Sequence, residues 1–275
     1  MFFAIFLVSV AAGIGGAILG LGGGIIIVPA LTLLLNLPIR FAIGASIVAV
    51  IAGSSGAAAA YIRDRMTNLR IGLALETMTT MGALTGALVA GYVSPHWLYL
   101  IFGLLLAYSA VALFGRLKLE LPGEVPYDRL AERLRFSGDY YDQALGQRVH
   151  YSATGVIPGA VMMYLAGIFS GLLGIGSGLF KVMAMDVAMR LPMKVSTSTS
   201  NFMVGVTAAA SASVYFTRGD IPAPIAAPVA LGVLGGAWFG TNLMGHLRNT
   251  TIRKLFIPVL IVVAVSMIAK AIRSP

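Results

Sequence analysis

The feature that leaves this chain the fewest folds is that it is written twice. Gly20-Leu21-Gly22-Gly23-Gly24 recurs as Gly174-Ile175-Gly176-Ser177-Gly178, an offset of 154 residues. The register then holds without a gap. Leu37-Pro38 falls on Leu191-Pro192, Tyr61 on Tyr215, Gly82-Ala83 on Gly236-Ala237, Gly86 on Gly240, Gly91 on Gly245 and Phe102 on Phe256. Chance agreement among glycines does not carry a Pro and a Tyr in constant register over roughly a hundred residues. A doubled hydrophobic unit with a glycine break in each copy points to a membrane transporter.

Composition puts the unit in a bilayer. The 275 residues have a mean hydropathy of +0.91 and are 58% hydrophobic. Only 11% are charged, against roughly 25% in soluble domains. Apolar runs at 2–20, 41–62, 71–93, 97–115, 156–174, 195–217, 225–245 and 252–269 each approach the ~20 residues a spanning helix needs. Shorter runs, 24–36 and 178–190, follow the glycine clusters and are too short to span alone. Residues 1–20 lack a basic leader and correspond to 155–174, so they read as a retained helix rather than a signal peptide. The expected organisation is a first transmembrane repeat at 1–115, a cytoplasmic linker or small cap at 116–154, and a second repeat at 155–275.

The net charge of +9 lies wholly outside the linker, where six basic and six acidic residues cancel between Arg116 and His150. Positive-inside anchoring to anionic lipid accounts for such an excess, and so does attraction of an anionic substrate. No basic stripe interleaved with aromatics suggests a nucleic-acid partner. Lys/Arg counts in matching loops are mostly opposed. The loop with Arg63, Arg65 and Arg70 matches one holding Arg218, while Ser94-Pro95-His96 matches a segment with Arg248, Arg253 and Lys254. Opposed counts imply inverted repeats, hence an all-α membrane protein of five plus five spanning or broken helices with both termini outside. Lys270 and Arg273 near the C-terminus weigh against that orientation, and a parallel four-plus-four layout stays open. Oligomeric state is not legible, and a homo-oligomer is compatible.

In the inverted layout two short helices begin near mid-membrane from opposite sides. Their free N–H groups and partial positive charge form a candidate anion site. Gly22, Gly23, Gly24, Gly176 and Gly178, with Ser177 among them, let backbone turn and approach a ligand; tight helix packing is the alternative role. Lys181 lies three residues into the second short helix, where an unpaired ammonium is expensive. A bound anion is the partner this reading favours, with a structural ion pair or snorkelling as alternatives. Ser198, Thr199, Ser200 and Asn201 add hydroxyls and an amide that suit anion oxygens, although capping and back-bonding also use such residues. Ser46 is the thinner counterpart in the first half, where Ile27 stands in place of Lys181.

Glu76, the lone acid in the run 71–93, is either a proton-coupling group or an interfacial partner of Arg70; Asp186 is a second acidic candidate, placed to pair with Arg190. With no cysteine, and with His96, His150 and His246 in loops or at helix ends, no metal site or cofactor is expected. The central segment alternates polar and aromatic residues around Gly138 and Gly146, which suits a small β-hairpin that gates the inner mouth or links the halves.

The stretches Gly174-Ile175-Gly176-Ser177-Gly178-Leu179-Phe180-Lys181-Val182, Leu191-Pro192-Met193-Lys194, Ser198-Thr199-Ser200-Asn201 and Arg218-Gly219-Asp220-Ile221 resemble the TauE/SafE family of sulfite and organosulfonate exporters. Gly20 to Pro29 and Ala42-Ile43-Gly44-Ala45-Ser46 look like that family's N-terminal repeat. The resemblance covers about 1–115 and 155–270. It implies an inner-membrane carrier exporting sulfite, sulfoacetate or a related sulfur-containing anion. Ser177 and Met183 stand where the family often has Gly and Pro, which questions the bend of the second short helix. A passive anion channel and a carrier of another organic anion remain as alternatives. An intramembrane enzyme is disfavoured, because Ser177 has no candidate His and no G-x-S-x-G elbow surrounds it. No Walker motif is present to couple ATP.

Overall fold

A computed structural model of the chain describes residues 2–19, 22–63, 66–115, 125–247 and 249–273. Gly20 and Leu21 of the first glycine cluster, Arg65, Arg248 and linker residues 116–124 lie outside the described residues.

The duplication reappears as matched elements. In the first half, α1 (Phe2–Leu19) is followed by α2 (Gly24–Pro29), which widens into a π turn (Ala30–Leu34), then by α3 (Ile39–Arg63), α4 (Leu69–Ala90) and α5 (Pro95–Phe114). A short α6 (Arg129–Arg133) and an antiparallel hairpin, β1 (Ser137–Asp142) and β2 (Gln147–Ser152), form the centre. The second half repeats the first as α7 (Val156–Leu173), α8 (Gly178–Met183) with its π turn (Ala184–Ala188), α9 (Met193–Thr217), α10 (Ala223–His246) and α11 (Asn249–Arg273). Among the described residues four helices, α3, α4, α7 and α10 to Leu243, are long and apolar enough to cross a membrane.

Local chemistry explains why the copies match. Gly22 and Gly176 turn the chain at φ 64° and 72°, and Gly23 and Ser177 follow at φ 85° and 52°. Ser177 thus adopts a left-handed backbone for which a Cβ is penalised by about 1–2 kcal/mol, and it still keeps the geometry of its glycine counterpart. Each π turn ends on another left-handed residue, Asn36 or Arg190. Each is closed by an equivalent bond, Leu37 N–H to the Leu31 carbonyl and Leu191 N–H to the Met185 carbonyl, at 3.1 and 3.0 Å. The bend that Met183 put in question is therefore made without proline, because these closing bonds exist in both copies. Tyr61 donates to the Ala17 carbonyl at 3.1 Å and Tyr215 to Gly171 at 2.8 Å, one bond made twice.

The halves pack reciprocally. Helix α1 lies on α10 and α7 on α4, while α3 meets α9 and α5 meets α11. Glycines permit this closeness. A Cβ on Gly82 would stand 2.2 Å from the Tyr164 carbonyl oxygen, and one on Gly236 would stand 2.1 Å from that of Val10. Such small-residue seams are how helices approach where lipid supplies no hydrophobic drive.

The central segment is docked rather than slung between the halves. Lys194, at the start of α9, reaches Asp142 at the end of β1 with 2.7 Å between Nζ and Oδ1, and both side chains are 1% exposed. The Asn68 side chain caps α4 by accepting from Ile71 N–H at 3.1 Å and donates to the Tyr151 hydroxyl of β2 at 3.0 Å. Thr154 N–H closes onto the Met189 carbonyl at 3.1 Å. Burial pushes the Tyr151 hydroxyl's pKa up, and the Asn68 bond opposes that shift.

Candidate functional site

The two glycine loops meet. A Cβ on Gly24 would lie 3.0 Å from Ile175 Cα and 2.8 Å from Ser46 Oγ. Gly22 and Gly176 both rest on Val50 and Val204, residues equivalent under the 154 offset: added Cβ atoms would come within 3.0 Å of both valines at Gly22, and within 2.6 and 2.7 Å at Gly176. The structure thus brings Gly22, Gly24, Gly176 and Ser46 together at the pseudo-symmetric centre of α3 and α9. Gly23 packs behind this point, toward Ala12 and Val233.

Hydroxyls around the junction divide into used and unused. Ser46 donates to the Gly174 carbonyl at 3.0 Å and Ser200 to the Gly178 carbonyl at 3.1 Å. Ser198 donates to Met66 and Lys194 carbonyls at 2.8 Å each, and Thr199 accepts from Asn68 N–H at 3.0 Å. These four brace loops and helix starts. In contrast, Ser177 Oγ, Ser196 Oγ, Thr197 Oγ1 and Asn201 Oδ1 are buried with no hydrogen-bond partner among the described residues. Asn201 donates its amide to the Ala17 carbonyl at 2.9 Å, which leaves Oδ1 as its open atom. Thr197 and Asn201 sit one turn apart on α9, and Val204, three residues further on, touches both glycine loops. Buried polar atoms are nearly always satisfied; of these idle ones, Ser177 Oγ belongs to the second glycine loop and Asn201 Oδ1 lies about one turn before Val204.

Lys181 is fully buried, and its side chain turns to α4 and α9. Nζ lies 3.0 Å from Glu76 Oε2 and donates to Thr207 Oγ1. In place of the bound anion expected as its partner, Lys181 is neutralised by Glu76. The Arg70 pairing considered for Glu76 gives way to this bond, because Glu76 is only 6% exposed and its oxygens also accept from Thr79 at 2.9 Å, Thr80 at 3.0 Å and Thr207 at 2.5 Å. Asp186 is buried in the π turn after α8. Thr207, like Thr79 and Thr80, is a residue sequence reasoning missed, since a threonine in a helix that also holds Thr197, Thr199 and Thr217 carries no signal of what faces it. Lys194 and Asp142 likewise form a pair that sequence reasoning does not reveal. No group of three or more His, Asp or Glu residues suited to a metal occurs among the described residues.

A family model described as sulfite exporter TauE/SafE matches residues 5–267, nearly the whole chain. The chain belongs to this family. Two curated relatives come from Bacillus subtilis (strain 168). The probable membrane transporter protein YunE is 26% identical over 261 residues, covering 92% of this chain and 91% of the relative. The probable membrane transporter protein YdhB is 26% identical over 244 residues, covering 87% and 90%. No solved structure matches. As a TauE/SafE member the protein is a multi-pass membrane transporter, and the buried Lys181 cluster and glycine-loop junction are features of that transporter.

Proposed function

We propose that this TauE/SafE protein is a secondary carrier of the cell's inner (plasma) membrane that exports a small sulfur-containing anion, such as sulfite or an organosulfonate. Its two repeats, 1–115 and 155–275, are inverted five-plus-five halves that rock about a mid-membrane site where the glycine loops touch, and 116–154 is a cytoplasmic cap. Lys181 supplies the charge. Ser177 donates to oxyanion oxygens, and the Asn201 carbonyl oxygen accepts from a protonated oxygen or a substrate amine. Gly22, Gly23, Gly24, Gly176 and Gly178 let the backbone come close, and Ser46, Ser198, Thr199 and Ser200 hold the frame.

The observation that carries this reading is a fully buried ammonium, Lys181, one helical turn beyond the idle Ser177 hydroxyl, on a broken helix whose glycine loop meets that of its counterpart. A buried ion pair adds little stability over apolar packing, and ionisable residues inside a membrane mark functional sites, so the Lys181–Glu76 pair is kept where function needs it. Opposed Lys/Arg counts in matching loops support inversion. Lys270, which weighed against the orientation, donates to the Thr32 carbonyl at the end of the first broken helix. There a cation answers the helix dipole rather than marking a cytoplasmic loop. Counterflow in proteoliposomes tests the proposal. Liposomes loaded with unlabelled sulfite should transiently accumulate external radiolabelled sulfite through the wild type but not through Lys181→Met. Flux without counterflow would make the protein a channel, and equal counterflow in Lys181→Met would remove Lys181 from the site.

A further inference from the structure

The polar cluster around Lys181 exists once, on a scaffold that exists twice. At the offset of 154 the counterparts of Glu76, Thr79, Thr80, Lys181 and Thr207 are Ala230, Val233, Leu234, Ile27 and Gly53. The helices that carry these five apolar residues are built like those that carry the cluster. The fold therefore does not need the cluster. Replacing a buried ion pair with apolar residues is commonly neutral or stabilising, so stability is no reason to keep it either.

Its geometry is that of an occupied oxyanion site. Two carboxylate oxygens receive one ammonium and three hydroxyls, from Lys181, Thr79, Thr80 and Thr207. Thr207 Oγ1 contacts both Lys181 Nζ and Glu76 Oε1 and so joins the two ions. The occupant is the protein's own side chain.

We propose that Glu76 is a tethered stand-in for the transported anion, and that a proton must bind it before the substrate can take its place on Lys181. This rests on the carrier reading above. The empty site holds a carboxylate and an ammonium. The loaded site holds a carboxylic acid, the same ammonium and the substrate anion. One proton and one monovalent anion enter together, no covalent bond other than O–H forms, and the net charge stays at zero in both states. A low-dielectric site tolerates that balance far better than an added uncompensated charge. Anion and proton then travel in the same direction, so a cell that accumulates the anion exports it as its acid.

The charged surroundings of Glu76 are simple. Helix α7, packed on α4, contains no Asp, Glu, Lys, Arg or His, and α9 contributes Thr207 together with Lys194, which is engaged with Asp142. Lys181 on α8 is the charged group that faces Glu76 among the described residues.

The test is binding of sulfate and isethionate, whose charge is constant from mildly acidic to mildly alkaline pH, to the purified full chain. Wild-type affinity for isethionate should rise by up to about tenfold per pH unit of acidification, the slope of one linked proton. Glu76→Gln should bind with the acidic-limit affinity at every pH. A flat wild-type profile, or an unchanged slope in Glu76→Gln, overturns the proton step. If Glu76→Gln does not fold, proteoliposomes of the wild type carrying a trapped pH dye decide instead. Anion entry should acidify the lumen one for one, and entry without acidification overturns the step. Lys181→Met separates the two readings: lost binding with a flat wild-type profile sinks only the coupling, whereas retained binding sinks the site itself. Absence of binding by the wild type to either anion at any pH overturns both.

Discussion

Replacing Lys194 with Met should release the cap from the membrane helices. The ammonium stands 2.7 Å from Asp142 Oδ1 with both side chains 1% exposed. Without it the carboxylate keeps three neutral donors, the Tyr140 hydroxyl at 3.2 Å and the amides of Ala144 and Leu145 at 3.0 and 3.2 Å. Removing one member of a buried pair costs about 3–5 kcal/mol. The surviving donors put this case at about 3 kcal/mol. At about 1.4 kcal/mol per factor of ten, opening of the hairpin should become about a hundredfold more frequent. Hydrogen exchange read by mass spectrometry measures this at the β1 and β2 amides, with α1 and α10 as unaffected references. Asp142→Asn should accelerate exchange comparably, while Lys194→Met with Asp142→Asn, which removes both charges, should return to within about tenfold of wild type. Wild-type exchange in Lys194→Met, or a double variant as labile as either single one, would refute the claim that this pair holds the cap.

Two further outcomes follow from particular contacts. Gly171→Ala places a Cβ 1.9 Å from the Ala83 carbonyl oxygen and 2.6 Å from Ala87 N. Backbone cannot yield cheaply there, so it should lose about 1–3 kcal/mol and melt several degrees lower, whereas Gly235→Ala, with open space around it, should melt no lower than wild type. Asp128 caps α6 and accepts from Val156 N–H at 3.1 Å; the Val156 bond, joined by those of Leu130, Ala131 and Gly155 and opposed by desolvation, holds its carboxyl below the usual range. Because the folded value is depressed, this stabilisation is complete above the ordinary Asp range and fades as pH falls through the folded value. Exchange at Val156 should therefore be faster in Asp128→Asn than in wild type at neutral pH, with the gap closing in acid. A gap independent of pH would contradict the linkage.

What could be read from the sequence was whatever the duplication constrains. The 154-residue offset anticipated the paired glycine turns, the twin short helices and the shared tyrosine position, because glycines and tyrosines in fixed register have few structural readings. The alternation around Gly138 and Gly146 foreshadowed the hairpin in the same way. Pairings between halves were not legible. Glu76 and Lys181 are 105 residues apart in different repeats. Their meeting depends on how α4, α8 and α9 pack, which periodicity along one helix does not encode. Composition gave Lys181 the need for a partner, and either an anion or a carboxylate satisfies it. Docking of the cap was hidden for the same reason, since Asp142 and Lys194 each look like a solvated loop charge until the hairpin closes over α9.

The central claim is that a substrate oxyanion takes the place of Glu76 on Lys181. The most direct measurement is a crystal structure of the protein soaked in selenite, a sulfite analogue whose selenium scatters anomalously. The account predicts an anomalous peak within hydrogen-bonding reach of Lys181 Nζ, on the side of the Ser177 hydroxyl, with the Glu76 carboxyl withdrawn from the ammonium. A peak elsewhere in the protein, with the Lys181–Glu76 bond intact, would contradict it.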